Sequence, residues 1–482
     1  MGATQKMSVI KQPDEIAPRL AAMRAAFLRE GLPSAEVRIN RLDRIIGLMR
    51  EHQQDFIRAV AEDFGTRSAT QTRLTDIAHS IISMQYAKEH VRSWMQPQRA
   101  EQPFPGVKAS ISYQPLGVVG IISPWNFPLV LALAPLAGVL AAGNRAMLKP
   151  SELTSATSEL LGRLIAERFD PDELAVVLGN PEMGATFAGQ PFDHLVFTGG
   201  ASIGRQILRA ASENLVPVTL ELGGKNPVVL SQSADLEMAA ERVMTVKTFN
   251  AGQICQAPDY LLLPHENVDE FVDKARGAVR RMYPSVIGNP DYTSIISERH
   301  YRRLQALMED AERRGGKLIN FQGENEPTVR AEGRKISPTL VLNTSPEMRV
   351  CNEEIFGPLL PVVTYKSFDD AVRYINRKEQ PLAIYYFGKA ASEQQYILER
   401  TTSGALVIND VMSHVFAESL PFGGVGASGM GAYHGRFGFE RFSYARAVVI
   451  QSPGGESNLL MRPPYGSTAS TTLDELIGAK AA

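Results

Sequence analysis

The chain has 482 residues, of which 44% are apolar and 21% charged, with a formal net charge of −2. That length supplies two or three domains with ample cores, and the balance is that of an ordinary globular chain. Near-neutral charge offers no general attraction to nucleic acid or to an anionic membrane, and two cysteines exclude a disulfide framework.

The first residues are polar and lack the apolar core of a secretion signal, so a cytoplasmic location is expected. Residues 14–96 carry apolar side chains at helical spacing and read as mostly helical. Three prolines between 95 and 106 break that pattern, and residues 107–113 then alternate like an exposed strand. From 117 onward strand and helix signals alternate. Strands are expected at 117–122, 145–149, 174–178, 194–198 and 216–221, with helices such as 155–169 and 203–212 between them. This predicts parallel strands joined by helical crossovers, an open α/β sheet. A second alternating region, 226–407, predicts a second α/β domain. The longest apolar run, 129–142, is too short to span a bilayer and contains Pro135. Residues 420–438 are glycine-rich and irregular and read as a loop over a site.

Two segments carry reactive groups. Cys255 lies in Phe249-Asn-Ala-Gly-Gln-Ile-Cys-Gln-Ala-Pro258, after a helical stretch at 235–249. Most cysteines are small buried hydrophobes, but Asn250, Gly252, Gln253 and Gln256 argue against an apolar core here. Cys351 has no activating neighbourhood and reads as structural. Glu221 lies in Val218-Thr-Leu-Glu-Leu-Gly-Gly-Lys-Asn-Pro227. Such a glutamate is ordinarily a solvated strand-end carboxylate; the apolar run before it permits the burial that a general base needs. A thiol plus a separate carboxylate suits covalent oxidation of an aldehyde: the sulfur attacks, a hydride leaves, and a base activates water on the thioester.

Pro124-Trp-Asn-Phe-Pro128 is a rigid turn that can fix the Asn126 amide, a suitable donor to an alkoxide. Gly424-Val-Gly-Ala-Ser-Gly429 matches the GxGxxG pattern but has no strand before it and no acidic residue at the right distance, so it is not the phosphate cradle. Phe197-Thr-Gly-Gly-Ala-Ser-Ile-Gly-Arg205 is the better candidate, because it follows a strand and opens a helix. The eight histidines show no paired metal spacing, and no metal site is expected.

These segments resemble the signature motifs of the aldehyde dehydrogenase superfamily, and the similarity runs from about residue 15 to 450. Ser403-Gly-Ala-Leu-Val-Ile-Asn-Asp-Val411 and the glycine-rich segment 420–435 resemble its class 3 branch, and within it the bacterial coniferyl aldehyde dehydrogenases. The resemblance implies a Rossmann-type cofactor domain (1–106 and 116–221), an α/β catalytic domain (222–438), a β-arm for oligomerisation (107–115 and 439–451) and a tail (452–482). It implies a homodimer that takes a small-molecule aldehyde, aromatic and coniferaldehyde-like.

By the same resemblance Cys255 is the nucleophile, Glu221 the base for thioester hydrolysis, and Asn126 with the Cys255 N–H the oxyanion donor pair. The cofactor residues are Trp125, Lys149, Glu152, Thr198, Gly199, Gly200, Ser202, Gly204, Leu222, Glu354 and Phe356. Lys149 and Glu152 hold the adenosine ribose, and Glu152 favours NAD, with NADP left open. Gly200 departs from the serine common in the family. Phe127 and His434 are candidates for the substrate wall. Two alternatives carry less: an enzyme that acylates coenzyme A would lack the carboxylate at Glu221, and a cysteine esterase has no histidine near Cys255 in sequence and leaves the nucleotide motifs unexplained.

Overall fold

A computed structural model describes residues 8–102, 106–321, 326–331, 333–455 and 463–478. Its framework is two large sheets, each parallel except for one antiparallel edge strand. In the first, the spatial order is Val9–Ile10, Leu174–Val177, Arg145–Lys149, Val118–Ile122, His194–Gly199, Val218–Leu222 and Gly429–Met430. The inner strands are almost continuous apolar runs because helices cover both faces, which leaves nearly every side chain buried. The helix Val130–Ala142 explains the long apolar run: all thirteen residues are buried, and it ends at Gly143, whose φ of 95° closes the last turn. Among the described residues no helix is long and apolar enough to cross a membrane.

The expected strands of this sheet are present within about two residues of their predicted ends. The shift at one of them matters. The strand predicted at 216–221 runs Val218–Leu222, so Glu221 lies inside it, paired with Thr198 on one side and Gly429 on the other. Glu221 is therefore a buried mid-sheet residue rather than a strand-end one.

Two elements of the first sheet were not predicted. Val9–Ile10 pairs parallel with Val176–Val177. The glycine-rich segment is more ordered than the expected loop: Gly429–Met430 joins the sheet edge, and Gly435–Arg441 is a helix. Such short elements, rich in glycine, carry no periodicity that a sequence window can detect. The literal GxGxxG stretch is thus an edge closure, not the turn between a strand and a phosphate-binding helix.

The second sheet has the order Lys317–Asn320, Thr339–Leu342, Leu359–Tyr365, Pro258–Pro264, Asn226–Leu230, Ala383–Phe387 and Ala405–Ile408. It carries a separate core around Val228, Leu261, Phe271, Leu360 and Tyr385. Beside these lies a small antiparallel sheet in which Ser443–Ile450 pairs with all of Lys108–Pro115, and Gln98–Arg99 adds a third strand. The expected arm had two strands; the third comes from the proline-rich break. Part of the tail (456–462 and 479–482) lies outside the described residues.

Candidate active site

The turn that presents Cys255 is built by the backbone. The helix Leu236–Thr248, capped by the Asp235 side chain, runs into three successive residues in the left-handed region, Asn250 (φ 49°), Ala251 (52°) and Gly252 (72°). Only glycine fits at 252, since a Cβ there would collide with the Gly357 carbonyl. Hydrogen bonds hold the turn. The Asn250 N–H donates to Gln71 Oε1 (3.1 Å), and the Asn250 amide donates to the carbonyls of Asn126 and Gln253 (both 3.1 Å). Gln253 Nε2 donates to the Ser294 carbonyl (3.0 Å), and Asn226 Nδ2 donates to the Cys255 carbonyl (2.7 Å).

Asn126 is locked into the same network. Its Nδ2 donates to the Gln253 carbonyl (3.2 Å), and its own carbonyl accepts from Arg67 Nη1 (2.6 Å). Arg67 is fully buried and pairs with Asp76 at 2.7 Å, while Asp76 Oδ1 accepts from the Leu129 N–H at 3.0 Å. The 124–128 turn is therefore clamped from below by an ion pair that the sequence did not announce.

Cys255 stands where two cavities meet. One, of about 540 Å³, is walled mainly by apolar groups, among them Phe127, Ile254, Met412, Phe416, Phe422 and Tyr433, and also by His79 and His434. The other, of about 750 Å³, is lined by Trp125, Asn126, Thr198, Gly199, Gly200, Glu221, Leu222, Arg303, Glu354 and Phe356. Cys255 and Leu131 line both. Burial, with the carboxylates of Glu354 and Glu221, pushes the Cys255 thiol up to about 12. Glu221 is 2% exposed, and neither of its oxygens has a hydrogen-bond partner among the described residues. Its burial drives its pKa well above the ordinary carboxylate range, opposed only by Arg441.

The second cavity fits a dinucleotide. The helix Ala201–Ser212 begins there with its free N–H groups, and a side chain at Gly200 would meet nothing within 4 Å. Thr198 Oγ1 is buried and has no hydrogen-bond partner among the described residues. At Gly204 a Cβ would stand 2.7 Å from Leu222, so glycine lets that helix approach its strand. Glu354 accepts from the Gly224 N–H (3.1 Å), and burial together with Asp259 pushes its pKa up to about 7. Phe356 adopts φ 49° and sets its ring almost perpendicular to that of Trp125, 5.4 Å away.

Lys149, Glu152, Ser202 and Gly204 do not line this cavity. The buried Lys149 ammonium donates to the Pro150 carbonyl (2.9 Å) and lies 3.9 Å from Glu152, which is half exposed. Phe127 and His434 both line the other, apolar cavity.

Sequence reasoning passed over several members of the constellation. Lys225, in the Glu221 motif itself, donates to the Val350 and Glu353 carbonyls (both 2.8 Å) and pairs with Asp259, which accepts from the Ile355 N–H (2.9 Å). Together they bolt down the segment bearing Glu354 and Phe356. His79, Glu418 and His434, scattered along the chain, come together in space and offer ligand atoms within 4.8 Å of one another. They are too distant in sequence for a spacing rule to find.

The fold is that of an aldehyde-oxidising enzyme. The aldehyde dehydrogenase family model matches residues 9–448, and the chain belongs to that family: it is an NAD(P)-dependent enzyme that oxidises an aldehyde to the carboxylic acid. It is 55% identical to the coniferyl aldehyde dehydrogenase of Pseudomonas sp. (strain HR199) over 97% of each chain. It is 52% identical to a probable coniferyl aldehyde dehydrogenase of Caulobacter vibrioides over 93% of each. The substrate-bound state of Staphylococcus aureus AldH superposes with a TM-score of 0.90 at 34% identity, covering 95% of this chain and 99% of that one. An NAD-dependent aldehyde dehydrogenase from Sinorhizobium meliloti gives 0.83 at 27% identity, covering 92% and 88%.

Proposed function

We propose that the two cavities are the halves of one active centre, in which an aromatic, coniferaldehyde-like aldehyde meets Cys255 from the apolar side and NAD occupies the other. The observation that carries this reading is the position of Cys255 on both walls at once. Cys255 Sγ attacks the carbonyl carbon, and the Asn126 amide with the Cys255 N–H steadies the oxyanion of the thiohemiacetal. NAD, when bound, accepts the hydride. Glu221, buried and without a hydrogen-bond partner among the described residues, takes the proton of the water that cleaves the resulting thioester.

Around the cofactor, Trp125 and Phe356 would flank the nicotinamide end, Glu354 would hold its ribose, and Thr198, Gly199 and Gly200 with Leu222 would form the pyrophosphate wall. Lys149 and Glu152 take the adenosine ribose. A 2′-phosphate there would meet the Glu152 carboxylate, so NAD is preferred to NADP.

The aromatic preference rests on the rings of the apolar wall and on the names of the most similar relatives. The chain works as a cytoplasmic homodimer, with 1–106 and 116–221 as cofactor domain, 222–438 as catalytic domain and 107–115 with 439–451 as arm.

The test is NADH formation with a panel of aldehydes, with and without coenzyme A, for the wild type and Cys255→Ala. Coniferaldehyde should exceed acetaldehyde in kcat/KM, coenzyme A should change nothing, and the variant should fall below a few per cent while still binding NAD. A folded variant that retains turnover would sink the assignment of Cys255.

A further inference from the structure

One polar cluster in the apolar cavity has no part in this chemistry. His79 opens the helix His79–Trp94 directly after the π-helical turn Thr72–Ala78, and His434 (φ 85°) precedes the helix Gly435–Arg441. Both line the cavity, and they are 8% and 5% exposed. Glu418 sits behind them, with Oε1 3.5 Å from His79 Nε2. Neither His79 Nε2 nor His434 Nδ1 has a hydrogen-bond partner among the described residues. Each buried unsatisfied nitrogen costs on the order of 1–3 kcal/mol, so a ligand that pairs with it recovers that cost.

We propose that His79 and His434, backed by Glu418, recognise the phenolic hydroxyl of an aryl aldehyde. This rests on reading that cavity as the aldehyde's. A phenol brings one donor and one acceptor, which a pair of ring nitrogens can match, and the surrounding rings of Phe127, Phe416 and Phe422 match its aromatic body. Burial holds the His434 ring down to about 4, so it stays neutral with one N–H and one lone pair. Burial opposes the charge on Glu418, but its neighbours His79 and Ser83 keep its carboxyl below the usual range. His79, His434 and Glu418 could grip a divalent cation. However, the Ser83 hydroxyl already donates to Glu418 Oε1, the oxygen that faces His79, which favours a hydrogen-bonding cluster.

The experiment compares kcat/KM for 4-hydroxycinnamaldehyde, 4-methoxycinnamaldehyde and cinnamaldehyde. The wild type should favour the free phenol over both others by about tenfold or more, the usual scale for one buried hydrogen bond. That ratio should collapse to within about threefold in His434→Phe and in His79→Leu, and survive in part in His434→Gln. A wild-type ratio near one, or a ratio unchanged in the two apolar variants, would overturn the proposal. So would one equivalent of zinc in the purified enzyme that is lost in His79→Leu. Failure of the underlying reading looks different: acetaldehyde would then equal cinnamaldehyde as a wild-type substrate, whatever the phenol ratio.

Discussion

Cys255 faces a difficulty at the level of a single residue. A thiol pushed up to about 12 is almost wholly protonated at neutral pH, yet the thiolate is the nucleophile. Two carboxylates raise it, so neutralising either, or bringing a cation beside the sulfur, lowers it. The sign is clear: deprotonation is the activating event, and the group titrates above the working range. Alkylation of Cys255 by iodoacetamide in the cofactor-free enzyme should therefore rise about tenfold per pH unit from 7 to 9. Mass spectrometry will locate the label, which should spare the buried Cys351. A rate independent of pH would mean that the thiolate is already formed.

Glu221, as the proposed base, should separate the two halves of the reaction. Glu221→Gln keeps the shape but removes the base, so hydride transfer should give a burst of NADH near one equivalent and hydrolysis should then stall. Rapid mixing with NAD and an aldehyde reads this directly, with acyl-enzyme visible by mass. Loss of the burst itself would assign Glu221 to thiol activation instead.

At the scale of elements, the Cys255 turn and the Asn126 turn depend on each other through Asn250, Gln253 and the Arg67–Asp76 pair. Left-handed backbone at Asn250 and Ala251 costs on the order of 1–3 kcal/mol per residue, and the surrounding hydrogen bonds hold it in place. Gly252→Ala adds a collision with the Gly357 carbonyl in the same turn, which abuts the cofactor segment. It should lower stability by about 1–3 kcal/mol in urea unfolding and reduce kcat more than nucleotide affinity. Full activity in that variant would show that the turn has a freedom absent here. Asp76→Ala leaves Arg67 buried without its partner and should cost about 3–5 kcal/mol.

For the whole molecule, the arm sheet is tied to the first core through Tyr113 and leaves its outer edge open. Its outer strand, Ser443–Ile450, leaves Tyr444, Val449 and Ile450 at 63%, 62% and 59% exposure, on an edge whose hydrogen-bonding groups seek a neighbour. A second copy of the chain is the proposed neighbour. Light scattering should give about twice the chain mass for the wild type and a monomer for the double variant Val449→Lys, Ile450→Lys. A monomeric wild type would remove the dimer.

The segments proposed to carry the chemistry were legible along the chain because each candidate group travels with its own local frame. Cys255 carries its polar turn, Glu221 its glycine pair, and Asn126 its flanking prolines. The parallel sheets were legible as well, since strands buried on both faces become continuous apolar runs whose helical crossovers have a different period. Long-range geometry was not. Glu221 became a mid-sheet residue only when Gly429 paired beside it. The clamp on Asn126 joins Arg67 and Asp76 to a turn some fifty residues away, and His79 meets Glu418 and His434 only where a π-helical turn faces the glycine-rich segment. Periodicity and motif report the near neighbours of a residue. Burial, and with it the pKa of Cys255 and of Glu221, depends on which distant atoms displace water, and that is settled only by the packed chain.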